Sequence, residues 1–117
     1  MVKTILIVED NELNMKLFND LLRAHGFETL QTNDGVTAMR VAQEQQPDLI
    51  LMDINLPGMD GYAAARRIKS IDKLRAVPIV ALTANVLHGA RERAQASLSA
   101  VHEILGVNIQ TRTIVHE

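Results

Sequence analysis

Short, unbroken apolar runs that end in polar or acidic residues recur along this chain, and they set its fold class. Residues 5–8 form one such run, ending in Glu9 and Asp10. Leu49-Ile50-Leu51-Met52 is a second, ending in Asp53, and residues 78–82 are another, ending in Thr83-Ala84-Asn85. Runs of this length and composition read as strands buried on both faces. Residues 27–32 supply one more strand. Helical patterns fill the intervals. Asn11 caps a first helix that runs to about residue 25 and stops at Gly26. Asn33-Asp34-Gly35 is a turn or cap before a second helix over residues 36–46, and Gln46-Pro47-Asp48 punctuates its end. After a loop over residues 56–61, a third helix covers residues 62–71 and a fourth covers about residues 86–98. Strands alternating with helices predict an α/β domain: a parallel sheet with helices on both faces.

The length of 117 residues suits a single domain, and 47% apolar residues suffice for its core. The net charge of −2 argues against a dedicated nucleic-acid surface, which is usually clearly basic. Aromatic residues make up only 3%, too few for a base-stacking platform. With no cysteine, disulfides and thiolate-ligated metals are excluded. The apolar runs fall far short of the ~18–20 residues of a membrane span. Met1-Val2-Lys3-Thr4 leads straight into a strand pattern without a signal peptide, so the expected location is the cytoplasm.

In parallel α/β sheets the working groups gather at the carboxyl ends of the strands. Glu9, Asp10, Asp53 and Thr83 all fall at such ends. If the first and third strands are neighbours, three carboxylates converge. Clustered carboxylates repel one another unless a cation joins them. Oxygen-only ligands suit Mg²⁺ (or Mn²⁺), with room left for waters and phosphate oxygens. A carboxylate placed beside that ion by a whole buried strand is also a nucleophile for aspartyl-phosphate chemistry, which singles out Asp53.

Three stretches carry a family resemblance: Ile5-Leu6-Ile7-Val8-Glu9-Asp10-Asn11, then Pro47-Asp48-Leu49-Ile50-Leu51-Met52-Asp53-Ile54-Asn55-Leu56-Pro57-Gly58-Met59-Asp60-Gly61, then Pro78-Ile79-Val80-Ala81-Leu82-Thr83-Ala84. They resemble the response-regulator receiver (CheY-like) family of two-component signalling, over roughly the first 94 residues. The resemblance implies a flavodoxin-like, doubly wound parallel sheet of order 2-1-3-4-5. It implies that Asp53 is the phosphoacceptor and that Glu9 and Asp10 are the acidic pair for the metal, with the main-chain carbonyl of Asn55 as a further ligand. Thr83 would bond the phosphoryl group and register its arrival, and Ala84 would leave space beside it. The donor would be a phosphohistidine on a sensor histidine kinase or a histidine phosphotransfer protein. The expected role is a phosphorylation switch without its own output domain, not an enzyme beyond self-phosphorylation and autodephosphorylation.

Residues 95–117 depart from the family. Its lysine-proline pair, expected near position 105, is replaced by Ile104-Leu105-Gly106, and no lysine follows Lys73. Arg91, Arg93 and Arg112 are candidate substitutes, although the plain reading of each is a solvated helix or tail charge. Residues 104–115 have the pattern of a fifth strand but leave no room for a full final helix. In the first helix Leu13, Leu17, Leu21 and Ala24 form a stripe expected to face the sheet. Met15, Phe18 and Leu22 form a second stripe. That second stripe either docks a partner helix or packs under whatever replaces the final helix. An uncovered face there would favour a homodimer through the atypical C-terminal region. Two rival functions remain: a pseudo-receiver that serves as a phosphate sink or scaffold, and an aspartyl-phosphate phosphatase. The phosphatase reading wants an acid where Asn55 stands.

Overall fold

The apolar runs do become strands, and their alternation divides the core into two halves. In the computed structural model, which describes residues 2–53, 55–56, 59–82 and 90–106, the strands β1 (Thr4–Val8), β2 (Glu28–Thr32), β3 (Leu49–Asp53) and β6 (Ile79–Leu82) form one parallel sheet of order β2-β1-β3-β6. This is the flavodoxin-like arrangement, with β1 beside β3. Between them run the helices α1 (Glu12–Ala24), α2 (Gly35–Gln45) and α3 (Gly61–Lys69), and α4 (Ala90–Leu105) follows β6. A small antiparallel pair, β4 (Asn55–Leu56) and β5 (Met59–Asp60), precedes α3. Leu56, Met59 and Asp60 of this pair fall in the segment 56–61 expected as loop. Among the described residues no helix is long and apolar enough to cross a membrane.

Local chemistry explains the helix starts and stops. The Asn11 side chain accepts the Asn14 N–H at 2.9 Å, Asp34 accepts the Thr37 N–H at 2.7 Å, and Asp60 accepts the Tyr62 N–H at 3.0 Å. Each satisfies a backbone donor that the helix itself leaves unpaired. Gly26 sits at φ +91°, a left-handed conformation that ends the α1 turn and that residues with a Cβ avoid. Asp48 ties β3 to β1: its side chain accepts the Thr4 N–H at 2.8 Å, and its own N–H bonds the Thr4 carbonyl.

Side chains alternate across a strand, so successive residues of β1 and β3 enter opposite halves of the core. Leu6, Val8, Ile50 and Met52 pack with Ala38 and Ala42 of α2 and Ala64 and Ile68 of α3. Ile5, Ile7, Leu49 and Leu51 pack with Phe18 and Leu22 of α1 and with Ala94, Leu98 and Val101 of α4. Farther along the α1–α4 seam, the His102 ring lies 5.7 Å from that of His25 and 5.4 Å from that of Phe27.

The last helix corrects several expectations. It was to end near residue 98 and give way to a strand from residue 104, yet Ile104 and Leu105 are its final residues. The rest of the expected fifth strand, residues 107–115, lies outside the described residues. A stripe of Ala94, Leu98, Val101 and Leu105 recurs at helical spacing, and it carries α4 along α1. The α1 face expected to be open, on which the dimer reading rested, is therefore covered by the chain's own α4.

The first stripe of α1 faces the core only in part: Leu17 and Leu21 are partly buried against it, while Leu13 and Ala24 are exposed. Phe18 and Leu22 are each 1% exposed and Met15 packs beside them, whereas Leu13 is 61% exposed. The docking role for Met15, Phe18 and Leu22 is thus corrected, because α4 and the sheet already bury the stripe from both sides. A Phe18→Ala protein should lose about 3–5 kcal/mol of unfolding free energy, the usual cost of truncating a core phenylalanine. Leu13→Ala should stay within about 0.5 kcal/mol of the parent. Urea unfolding measures both, and near-equal losses would contradict this assignment of faces.

Candidate functional site

Strand parity, more than sequence proximity, brings the acids together. Ile5 and Ile7 face the α1–α4 side, so the next residue of that parity, Glu9, lies on the same side just past the end of β1. In β3, Leu49 and Leu51 face that side, and Asp53 continues the series at the strand's last position. The register pairs Val8 with Met52, so one further step sets Glu9 against Asp53. Asp10 follows at the edge. One carboxylate oxygen from each of Glu9, Asp10 and Asp53 lies within 4.8 Å of the others.

The three differ in exposure. Glu9 and Asp53 are buried, at 2% and 7% exposure, and Asp10 is exposed. Glu9 Oε2 accepts the Asn11 N–H at 3.1 Å, but Glu9 Oε1 is buried with no hydrogen-bond partner among the described residues. Burial, the main cause, pushes the Glu9 carboxyl up to about 7, and the neighbouring charge of Asp53 pushes the same way. The Asn11 hydrogen bond and the Arg93 charge oppose it. A buried, unpartnered carboxylate oxygen within reach of two further acids fits a hard divalent cation, which prefers oxygen ligands and completes its shell with water. Glu9 and Asp10 line a cleft of about 600 Å³ that runs past Asn11, Glu12 and Lys16.

Asn55 begins β4, with one residue separating it from Asp53. Thr83 and Ala84 lie outside the described residues; they follow Leu82, which pairs with Asp53 across the sheet. Arg112 also lies outside the described residues, and Arg91 is exposed.

Arg93 is the correction. Read as a solvated charge, it is instead 14% exposed in its side chain, with Nη2 4.0 Å from Asp53 Oδ1. The signal was available in the spacing. Arg93 precedes Ser97 and Ala100 by four and seven positions, both are buried, and the three share one inward face of α4.

Comparison with known proteins agrees with this geometry. The family model "Response regulator receiver domain" matches residues 5–104. The polar-differentiation response regulator DivK of Brucella anthropi is 50% identical over 93 residues, covering 80% of this chain and 76% of that protein. Among solved structures, the receiver domain of sensor histidine kinase PA1611 from Pseudomonas aeruginosa PAO1 superposes with a TM-score of 0.69 at 43% identity, covering 83% of this chain and 80% of that one. That structure holds a magnesium ion coordinated in its active-site cleft. The chemotaxis response regulator CheY4 of Vibrio cholerae, at 24% identity, shares the fold with a TM-score of 0.70 over 83% of this chain and 81% of that one.

The raised Glu9 carboxyl has a thermodynamic consequence. Its folded value of about 7 exceeds its ordinary 4.5, so the folded protein holds this proton more tightly than the unfolded chain does. The associated stability is complete below about pH 4.5 and is lost as pH rises through about 7. Urea unfolding of metal-free protein across that window should therefore show stability falling relative to a Glu9→Gln variant. Parallel curves for the two proteins would contradict the raised value.

Proposed function

The chain belongs to the response regulator receiver family, and on that premise we propose that it is a phosphorylation switch whose Asp53 accepts a phosphoryl group from a phosphohistidine. The observation that carries the proposal is the convergence of Glu9, Asp10 and Asp53, with oxygens within 4.8 Å, at the carboxyl ends of β1 and β3. A lone carboxylate at a strand end would be an ordinary polar terminus. Three together, two of them buried, form a cation site with a nucleophile in it.

In this reading Glu9, Asp10, Asp53 and the main-chain carbonyl of Asn55 hold Mg²⁺ (or Mn²⁺), which when bound offsets the negative charge of the incoming phosphoryl group. The backbone of β3 fixes the Asp53 carboxylate so that little orientation remains to be paid for at the moment of attack. An Asp53 oxygen forms a bond to phosphorus as the phosphorus–nitrogen bond of the protonated phosphohistidine breaks. The bonding pair leaves with the imidazole, which departs neutral. Thr83 donates its hydroxyl to a phosphoryl oxygen, and Ala84 leaves space for that movement. The donor is a sensor histidine kinase or a histidine phosphotransfer protein.

Incubation with acetyl phosphate and Mg²⁺, followed by intact-mass measurement, tests the proposal, with acetate leaving in place of imidazole. The parent should gain one phosphoryl group per chain, and chelation of the metal should prevent it. Asp53→Asn should gain none, because an amide is a poor nucleophile and a poor Mg²⁺ ligand. Asp10→Asn should still react, at a higher Mg²⁺ requirement. An undiminished adduct on Asp53→Asn would sink the assignment.

A further inference from the structure

Arg93 is a cation held largely out of water with its hydrogen bonds incomplete. Its Nε and Nη2 atoms are buried and have no hydrogen-bond partner among the described residues. At 4.0 Å its approach to Asp53 Oδ1 is an ion pair but too long for a hydrogen bond. The guanidinium carbon sits 6.0 Å from the centre of the Phe18 ring, within cation–π range. Arg93 also lies in the first turn of α4, where the positive end of the helix dipole disfavours a cation. The unmade hydrogen bonds and the place at the helix N-terminus cost stability, which the Asp53 charge and the Phe18 ring offset only in part. The Glu9–Asp53 acids supply charge but not the geometry to occupy both donors.

A phosphoryl group on Asp53 would supply it. Such a group carries about two negative charges and three strong acceptor oxygens where the carboxylate carried one charge, on the residue whose Oδ1 Arg93 already approaches. A planar guanidinium offers parallel N–H donors that match two such oxygens. We propose that Arg93 is the phosphoryl-binding cation of this site, with its Nε–H and Nη2–H groups closing on oxygens of the group carried by Asp53. The proposal rests on the reading of Asp53 as the acceptor. It assigns to a helix residue the fixed positive partner that the family resemblance places as a lysine at the end of a fifth strand, near position 105, where this sequence has Ile104-Leu105-Gly106 and no lysine follows Lys73.

Opposite movements of two properties distinguish this role from a structural one. Arg93→Gln removes positive charge beside the acids, so its Mg²⁺ affinity should rise. Its initial rate of phosphorylation by acetyl phosphate should nevertheless fall, on the order of a hundredfold, the scale of losing one donor to developing charge. Arg93→Lys should recover a large part of that rate. Should Arg93→Gln fold poorly, the parent protein decides: on addition of beryllofluoride and Mg²⁺ its Arg93 Nε–H resonance should shift, and in Asp53→Asn it should not. A parent that forms an adduct, with Arg93→Gln reacting at the same rate or the Nε–H signal unmoved, overturns the role of Arg93 and leaves the acceptor reading intact. A parent that forms no adduct and shows no beryllofluoride response removes the acceptor reading, and this proposal with it.

Discussion

Like charge gathered where two strands end is the constraint around which the rest of this molecule is arranged. Glu9 and Asp53 are buried side by side with Asp10 at the rim, and an arrangement of that kind must be compensated. Part of the compensation is visible in the chain itself. The Glu9 carboxyl holds its proton up to about pH 7, and the Arg93 guanidinium comes within 4.0 Å of Asp53. Neither completes the hydrogen bonding of Glu9 Oε1 or of the Arg93 donors. On the proposed function, a metal ion would answer the first deficit and a phosphoryl group the second. The cost of gathering the charges would then be what makes the site responsive to phosphorylation.

The packing and the chemistry share one geometric rule. In β1 and β3, residues of one parity build the half of the core under α2 and α3, and residues of the other parity build the half under α1 and α4. Glu9 and Asp53 are the next members of the second series. They therefore emerge on the side where α4 lies, and α4 delivers Arg93 to them. Phe18 belongs to both systems: it is a core residue of α1 and the ring beneath the guanidinium. Packing between α1 and α4 is thus coupled to the position of the charge.

The sheet and the acids were legible because strand signals here are local. Residues 5–8 and 49–52 are short and strongly apolar, which favours buried strands, and their polar endings fall at the carboxyl edge of the sheet. Asn11, Asp34 and Gly26 announced their helix boundaries for equally local reasons. What failed were questions that tertiary contacts decide. α1 carries two apolar stripes, and only the arrival of α4 selects Phe18 and Leu22 over Leu13 as its buried centre. Residues 104 and 105 have strand-like composition, yet they continue a helix because Leu98, Val101 and Leu105 share one face against α1. Arg91 and Arg93 lie two positions apart on α4 and so on different faces; which of those faces turns inward is decided by how α4 packs, and that packing largely buries Arg93 and exposes Arg91.

Chemical trapping addresses the acceptor at the level of a single residue. An acyl phosphate on an aspartate is reduced by borohydride to homoserine, whereas a phosphate ester on serine, threonine or tyrosine is not. Protein incubated with Mg²⁺ and a phosphodonor, then reduced and digested, should yield homoserine at position 53 in the peptide containing Leu51 and Met52. Homoserine at another aspartate, its one-carbon-longer homologue at a glutamate, or neither despite a stoichiometric mass gain, would contradict the assignment of Asp53 as the residue that receives the phosphoryl group.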